Sequence, residues 1–442
     1  MGRFSNAQTL LVRVLSGAVL DQALLSAANF IVGLVLIRHT SDLQYGYYIL
    51  ATNAFMLLTS LQNAFVSPAL VTRFTRLDAQ QHPGVIGSLY HEQRDLMFKT
   101  MGIGIIATLL LCALTSWLDA GTGSVLVVGL VCTLAIAHRE YFRIVLLSYR
   151  EPGEVLRSDL PYIAVLIGGV WLATQTSAPA TFAIASMGAA SLCSGLMLAH
   201  KLHRRQPWQP VAGRRLMREI APLGLWSLAG AAIHWSFSQG YSYVVAGALD
   251  VTAVAAIAAT RLLMMPINLL STGIRSMMLP MTANWLDRGG VSSTLRKLVL
   301  FAIAIATIAM AYFASMWLLR DWIFANVMHK QFAQRDPLLL MWSAIFLVMV
   351  VRDQFIILLI ARERFRVLTQ LTLICAAVSL GVGWWAMQLY GQVGALSGML
   401  LGELINLSGV ALLVLRERRH ERSDHPSPSP LAANAGIAGS KS

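Results

Sequence analysis

Apolar residues run along this chain in long stretches separated by short polar segments where Lys, Arg, Gly and Pro collect. A bilayer core takes roughly 20 mostly apolar residues per helical crossing. Cut at that length, the sequence predicts twelve membrane-spanning helices over residues 14-37, 45-67, 96-117, 124-148, 160-175, 179-200, 220-246, 251-279, 296-317, 337-360, 366-389 and 392-415. The fifth is short, because Pro161 and the polar turn before Pro179 bound it. Gly394, Gly398 and Gly402 stand four apart along the twelfth, a spacing that lets another backbone approach and so predicts helix packing.

Composition agrees: 56% of the 442 residues are hydrophobic and 12% charged, against about 25% charged in soluble domains. The longest connections, near residues 67-95, 201-219 and 318-336, are too short for a globular domain of about 50 residues. Cys112, Cys132, Cys193 and Cys375 all fall in apolar stretches without paired spacing, which argues against disulfides and metal sites. The basic N-terminus leads into a span too long for a signal-peptide core and is expected to be an uncleaved first helix.

The net charge of +13 takes its meaning from where the charges fall. With a cytoplasmic N-terminus, 26 of the 34 Lys and Arg fall on the cytoplasmic side when Lys99, Arg143, Arg296, Lys297 and Arg366, toward the cytoplasmic ends of spans, are counted with it, against 4 on outer loops (Arg38, Arg320, Lys330, Arg335) and 4 others within spans. The positive-inside rule then puts both termini in the cytoplasm and reads clusters such as Lys201, Arg204, Arg205, Arg214, Arg215 and Arg218 as topology anchors, not nucleic-acid contacts. The tail, rich in Pro, Ser, Ala and Gly, is expected to be disordered.

Two short similarities suggest a duplication. Arg139-Glu140-Tyr141-Phe142 in span four and Arg352-Asp353-Gln354-Phe355 in span ten are 213 residues apart, and Pro68 and Pro280, closing spans two and eight, are 212 apart. Six spans per repeat gives two halves of the same orientation. The expected organisation is a six-helix lobe over 1-200, a basic linker over 201-219, a second lobe over 220-415 and a basic, then disordered tail over 416-442.

No Walker loop, H-E-x-x-H or G-x-S-x-G sequence occurs, so neither nucleotide hydrolysis nor enzymatic activity is expected, and no cofactor or metal is implied. What remains is a set of ionisable groups that lipid excludes, which usually face a bundle interior or a water-filled path. They are Asp21, Arg139, Glu140, Arg261, Arg275, Arg352, Asp353 and Glu403, with His234 as a titratable addition. Arg261 lies roughly 16 Å from the outer end of its span, about mid-membrane. It either meets substrate or pairs with Asp21 or Glu403. Guanidinium suits phosphate because its planar fork donates two hydrogen bonds and stays charged. Arg275, near a helix end, can snorkel. Arg139 with Glu140 and Arg352 with Asp353 are sequence neighbours that do not face each other on a helix, so partners on other helices, or a gate, are expected. Asp21 and Glu403 are candidates for proton coupling, since buried carboxylates can carry protons. Polar groups interleaved with aromatics (Asn29 and Asn53 in the first spans; His234, Trp235 and Gln239 in the seventh) suit sugar rings or, equally, interhelical hydrogen bonds.

Together with the stretch Ile37-Arg38-His39-Thr40-Ser41-Asp42-Leu43-Gln44-Tyr45-Gly46-Tyr47-Tyr48, where Ser41 and Asp42 replace an expected Gly and Pro, this pattern resembles the multidrug, oligosaccharidyl-lipid and polysaccharide (MOP) exporter superfamily, and within it the polysaccharide and O-antigen flippases. The resemblance implies an all-α, V-shaped bundle of two six-helix lobes with alternating access. It also implies a cationic cavity between spans one, two, seven and eight, faced by Arg261, Asp21, Asn29, Asn53 and His234. The implied partner is an oligosaccharide repeat unit on polyprenyl diphosphate, flipped across the inner membrane and shared with other polysaccharide assembly proteins. A cation-coupled drug exporter of the same fold would instead call for an acidic cavity. A polysaccharide polymerase or ligase would call for a large periplasmic loop, and the longest here is under about 25 residues.

Overall fold

The computed structural model of the chain describes residues 2–76, 78–114, 120–149, 151–211 and 216–424, with side chains from residue 20 onward apart from scattered positions. The regular elements among them are helical: α1 (Gly2–His39), α2 (Asp42–Arg76), α3 (His82–Leu114), α4 (Ala120–Ser148), α5 (Pro152–Ala173), α6 (Pro179–Arg205), α7 (Leu216–Gln239), α8 (Tyr241–Ala248), α9 (Val251–Leu262), α10 (Met265–Leu318), α11 (Arg320–Trp322), α12 (Arg335–Ala361), α13 (Phe365–Tyr390) and α14 (Gln392–Asp424). A 3-10 turn precedes α3 and a π-helical turn, Ile323–Met328, follows α11. Arg214, Arg215 and most of the tail lie outside the described residues.

Local sequence sets the starts of several helices. Pro152 and Pro179 open α5 and α6, where the missing N–H has no helical partner to lose. Asp250 caps α9 by accepting from the Ala253 N–H at 2.6 Å. Hydrogen bonds from Thr252 and from the helix backbone hold the Asp250 carboxyl below the usual carboxylate range.

Ten helices, α1–α6, α10 and α12–α14, are long and apolar enough to cross a membrane. The expected twelve crossings map onto these and onto three interrupted segments. Span seven divides at Gly240 into α7 and α8, and α7 carries His234, Ser236, Ser238 and Gln239. Span eight divides at Leu263 and Met264 between the 12-residue α9 and the start of α10. Span nine is the far part of α10, which breaks at Gly290 with a φ of 67°. The chain reverses there: the Trp285 and Phe301 rings lie 6.1 Å apart, and the Tyr312 hydroxyl donates to the Leu263 carbonyl at 2.7 Å. Pro68 and Pro280, expected to close spans two and eight, lie inside α2 and α10. Neighbouring helices let membrane helices continue through proline.

In the first half, α4 packs on α2, α3 and α6, and α5 lies between α1 and α6. In the second, α12 packs on α10 and α14, and α13 packs on α14 and α7. The glycines of α14 pack as expected: a Cβ at Gly394 would come within 2.3 Å of the Ala386 carbonyl, and one at Gly398 within 2.4 Å of Gly383. The halves meet where α2 runs along α7 and α9 and where α1 touches α9, α10 and the π-helical turn. Residues 206–211 lie along α3, with the Val211 N–H on Ser88 Oγ at 2.9 Å, and Glu92 accepts from the Leu216 and Met217 N–H groups that open α7.

Candidate functional site

A cavity of about 200 Å³ lies where α1, α2, α9 and the α7–α8 break converge. Four of the residues singled out from sequence line it: Asn29, Asn53, Gln239 and Arg261. Tyr45, Tyr48, Tyr241 and Asn268 complete its polar wall. Arg261 stands in the last turn of α9, where the helix ends inside the protein. Non-helical backbone at membrane depth is tolerated where it is buried in protein or lines a cavity, and both breaks satisfy that condition.

Arg261 has no carboxylate beside it among the described residues. Its Nη1 donates to Gln239 Oε1 at 2.7 Å and to the Tyr241 hydroxyl at 3.3 Å. The guanidinium also sits 5.3 Å from the Trp342 ring centroid, and the Trp342 indole is fixed by donating to the Ile257 carbonyl at 3.0 Å. These partners are neutral, so the charge of Arg261 is oriented but not cancelled. Asn53, on the opposite wall, donates to Ser242 Oγ at 3.1 Å.

The other sequence-selected charges fall into two networks away from this cavity. In the first half, Arg139 donates to Asp159 at 2.5 Å and to Ser194 at 3.3 Å and stacks on the Tyr162 ring at 3.9 Å. Asp21 pairs with Arg143, which also reaches Asp159 at 3.4 Å, and Glu140 accepts from Asn63 at 2.8 Å. In the second half, Arg352 pairs with Glu403, and Arg275 pairs with Asp353.

Several expectations are corrected by this arrangement. Asp21 and Glu403 neutralise Arg143 and Arg352, not Arg261. Arg352 and Asp353 contact each other directly at 2.8 Å, because long side chains on consecutive residues can curl together where both also reach other helices. Arg275 and His234 do not line the central cavity; His234 lies within electrostatic reach of Arg275, Arg352 and Asp353. The Trp235 indole donates to the Asn53 carbonyl at 3.0 Å and so joins α7 to α2. Arg143, inside span four, and Asp159, one residue outside span five, are members of this network that the charges singled out from sequence do not include. Their signal was helical spacing: Arg143 follows Arg139 by one turn, and Asp159 immediately precedes span five.

At the loop end that the charge bias assigns to the outside, the two halves are held shut. Lys330 pairs with Asp42 at 2.7 Å. Gly46 packs against the Val251 carbonyl so closely that a Cβ would lie 2.2 Å from its oxygen. The Tyr243 hydroxyl donates to the Leu50 carbonyl at 2.7 Å.

No protein-family model matches the chain, and no curated protein sequence is significantly similar to it. Solved structures match its fold. A multidrug resistance MATE family transporter of the MOP superfamily, in its inward-facing conformation, superposes with a TM-score of 0.71 at 13% identity, covering 90% of this chain and 96% of that one. An outward-facing conformation of such a transporter gives 0.61 at 12% identity, covering 93% and 96%. The lipid II flippase MurJ, inward closed, gives 0.73 at 11% identity, covering 89% and 86%. The chain is a multi-span membrane protein with the fold of MOP superfamily transporters.

Proposed function

We propose that the protein is an inner-membrane flippase that carries an oligosaccharide repeat unit on polyprenyl diphosphate from the cytoplasmic to the periplasmic leaflet for polysaccharide assembly. The observation that carries this reading is the lone, uncancelled charge of Arg261 in the central cavity. A cationic cavity whose guanidinium is held by neutral groups, with no carboxylate beside it among the described residues, favours a phosphate-bearing substrate; an exporter of cationic drugs would gain nothing from it. Arg261 grips the diphosphate, while Gln239 and Tyr241 hold the fork in place. Asn29, Asn53 and Asn268 offer hydrogen bonds to sugar hydroxyls beside the tyrosine rings. The cavity is below the roughly 300–1,000 Å³ usual for whole drug-sized ligands. It therefore takes the charged head, and the glycan extends toward the end of the bundle opposite Asp42 and Lys330.

In this reading the lobes over 1-200 and 220-415 rock about the α2–α7 and α2–α9 contacts, and both termini are cytoplasmic. The two paired networks hold each lobe rigid. The test is a flipping assay in proteoliposomes with a polyprenyl-diphosphate-linked oligosaccharide and, in parallel, a cationic dye. Translocation of the lipid-linked sugar without dye efflux supports the flippase. Dye efflux without sugar translocation would replace it with drug export.

A further inference from the structure

A second cavity, of about 430 Å³, lies on the opposite face of the first half between α3, α4 and α6, within the size range of ligand sites. Its wall changes character in one direction. On α3, Tyr90, Gln93 and Arg94 are followed by Met97 and Phe98, and on α4, His138 is preceded by Val131 and Leu134. These helices run in opposite senses, so the polar groups of both gather at one end and the apolar groups at the other. Leu192 and Leu196 of α6 complete the apolar part. Phe98, Val131, Leu192 and Leu196 are each about half exposed, so this part opens sideways where a bilayer would surround the helix bundle. The polar end lies near Glu92, which caps the start of α7, and so at the membrane boundary.

Among the described residues, the polar end contains buried polar atoms without hydrogen-bond partners. Gln93 is 5% exposed, yet its Oε1 accepts no hydrogen bond. His138 holds Nδ1 on the Tyr90 hydroxyl at 2.8 Å, while its Nε2 lies beside the Gly195 backbone without a hydrogen bond of good geometry among the described residues. Buried polar atoms are normally satisfied, and leaving one unpaired costs about 1–3 kcal/mol. With Tyr90 donating to Nδ1, Nε2 bears the proton, so a hydroxyl could accept from it and donate to Gln93 Oε1. Beside them, among the described residues, Arg94 pairs with its sequence neighbour Asp95 alone, at 3.1 Å and well exposed, a pairing of little strength.

We propose that this groove binds one bilayer phospholipid with an anionic phosphate and a hydroxyl-bearing headgroup, of the phosphatidylglycerol class. An acyl chain lies along Phe98, Val131 and Leu196, the phosphate meets Arg94, and a headgroup hydroxyl bridges Gln93 and His138. Lipid bound here would brace α3, which packs on α4 and α7 and has long exposed apolar faces.

The test is native mass spectrometry of the full-length protein in detergent, titrated separately with phosphatidylglycerol, phosphatidylcholine and polyprenyl phosphate. The wild type should retain one phosphatidylglycerol and much less phosphatidylcholine. Arg94→Gln and Gln93→Leu should each weaken retention about tenfold, as expected for one lost hydrogen bond to a charged or buried group. Leu196→Trp, an exposed position that would fill the groove, should abolish retention without moving the thermal unfolding midpoint in lipid-free detergent, which keeps the test open if Gln93→Leu fails to fold. Equal retention of the two phospholipids, full retention by Leu196→Trp, or preferential retention of polyprenyl phosphate would each overturn the proposal.

Discussion

Replacing Arg261 by Ala separates a substrate-binding charge from a structural one, because the structure fixes what the fold would lose. The guanidinium makes one short hydrogen bond, to Gln239, a longer one to Tyr241 and a contact with the Trp342 ring. A hydrogen bond to a charged group contributes about 1.5–3 kcal/mol, and a cation–π contact about 0.5–2 kcal/mol. Arg261 is only partly buried, so cavity water replaces part of this. No carboxylate is stranded, and the protein should reach the membrane at close to its normal level. Losing a bidentate charge contact to diphosphate costs about 2–5 kcal/mol, or about 30-fold to several thousandfold in affinity. Arg261→Lys keeps the charge but not the fork and should fall between. The assay is sugar-lipid translocation in proteoliposomes, normalised to protein reconstituted, with binding of the diphosphate lipid measured beside it. Wild-type translocation by Arg261→Ala at normal protein level would refute the role. Low protein level rescued by adding Asp21→Ala would show a pairing with Asp21, which the Asp21–Arg143 contact argues against.

Arg352→Ala should behave oppositely, lowering membrane protein level through a cost of about 3–5 kcal/mol, since it leaves buried Glu403 without its cation and Asp353 with Arg275 alone. Reporter fusions after Thr176 and Gln392 should read periplasmic and fusions after Pro207 and Ser423 cytoplasmic; a reversed reading at Pro207 would remove the arrangement of two six-span halves. Asp21→Asn and Glu403→Gln should each change the dependence of translocation on a proton gradient if that carboxylate couples, and unchanged transport with and without a gradient would exclude both. Asp42→Lys should trap less protein in the form closed at that end, read as faster labelling of a cysteine at Tyr45, and Lys330→Asp added to it should restore slow labelling; equal labelling in all three would show that the pair is not a latch.

Most of the architecture was legible because the membrane imposes it. A helix in lipid must satisfy its own backbone and present apolar side chains, so twelve crossings could be drawn from hydrophobic length alone. Spans seven and eight were legible only as single stretches, and the reason is local. The break at Gly240 follows Ser236, Ser238 and Gln239, while the break at Leu263 sits inside an apolar run with Pro266 just beyond it. No periodicity distinguishes such an interruption from continuous helix, since packing against α1, α2 and α12 determines where the chain can leave helical geometry. The cavity residues were half legible for the same reason. Arg261 and Asn53 stood out as polar groups at depth, but which carboxylate would reach which arginine depended on helix order. Asp21 is far from Arg143 in sequence and became its partner because α1 and α4 both approach α5.

The pairing pattern gives the expected duplication a physical content that four-residue similarity lacked. Asn63 on α2 donates to Glu140 on α4, and Arg275 on α10 pairs with Asp353 on α12. The first members of these contacts are 212 residues apart and the second members 213, the same offsets shown by Pro68 with Pro280 and Arg139 with Arg352. The same helix-to-helix contact is thus made twice, once by a neutral donor and once by a cation. Each half carries its span charges as a paired set: Asp21, Arg139, Arg143 and Asp159 in one, and Arg352, Asp353 and Glu403 with the half-exposed Arg275 in the other. Such sets resist separation, because removing one member strands the others in a medium of low dielectric. They therefore favour motion between the halves over motion within them. Arg261 belongs to neither set and stands at the junction, on a helix end held by neutral groups, where a change in the separation of the halves alters what its charge can meet.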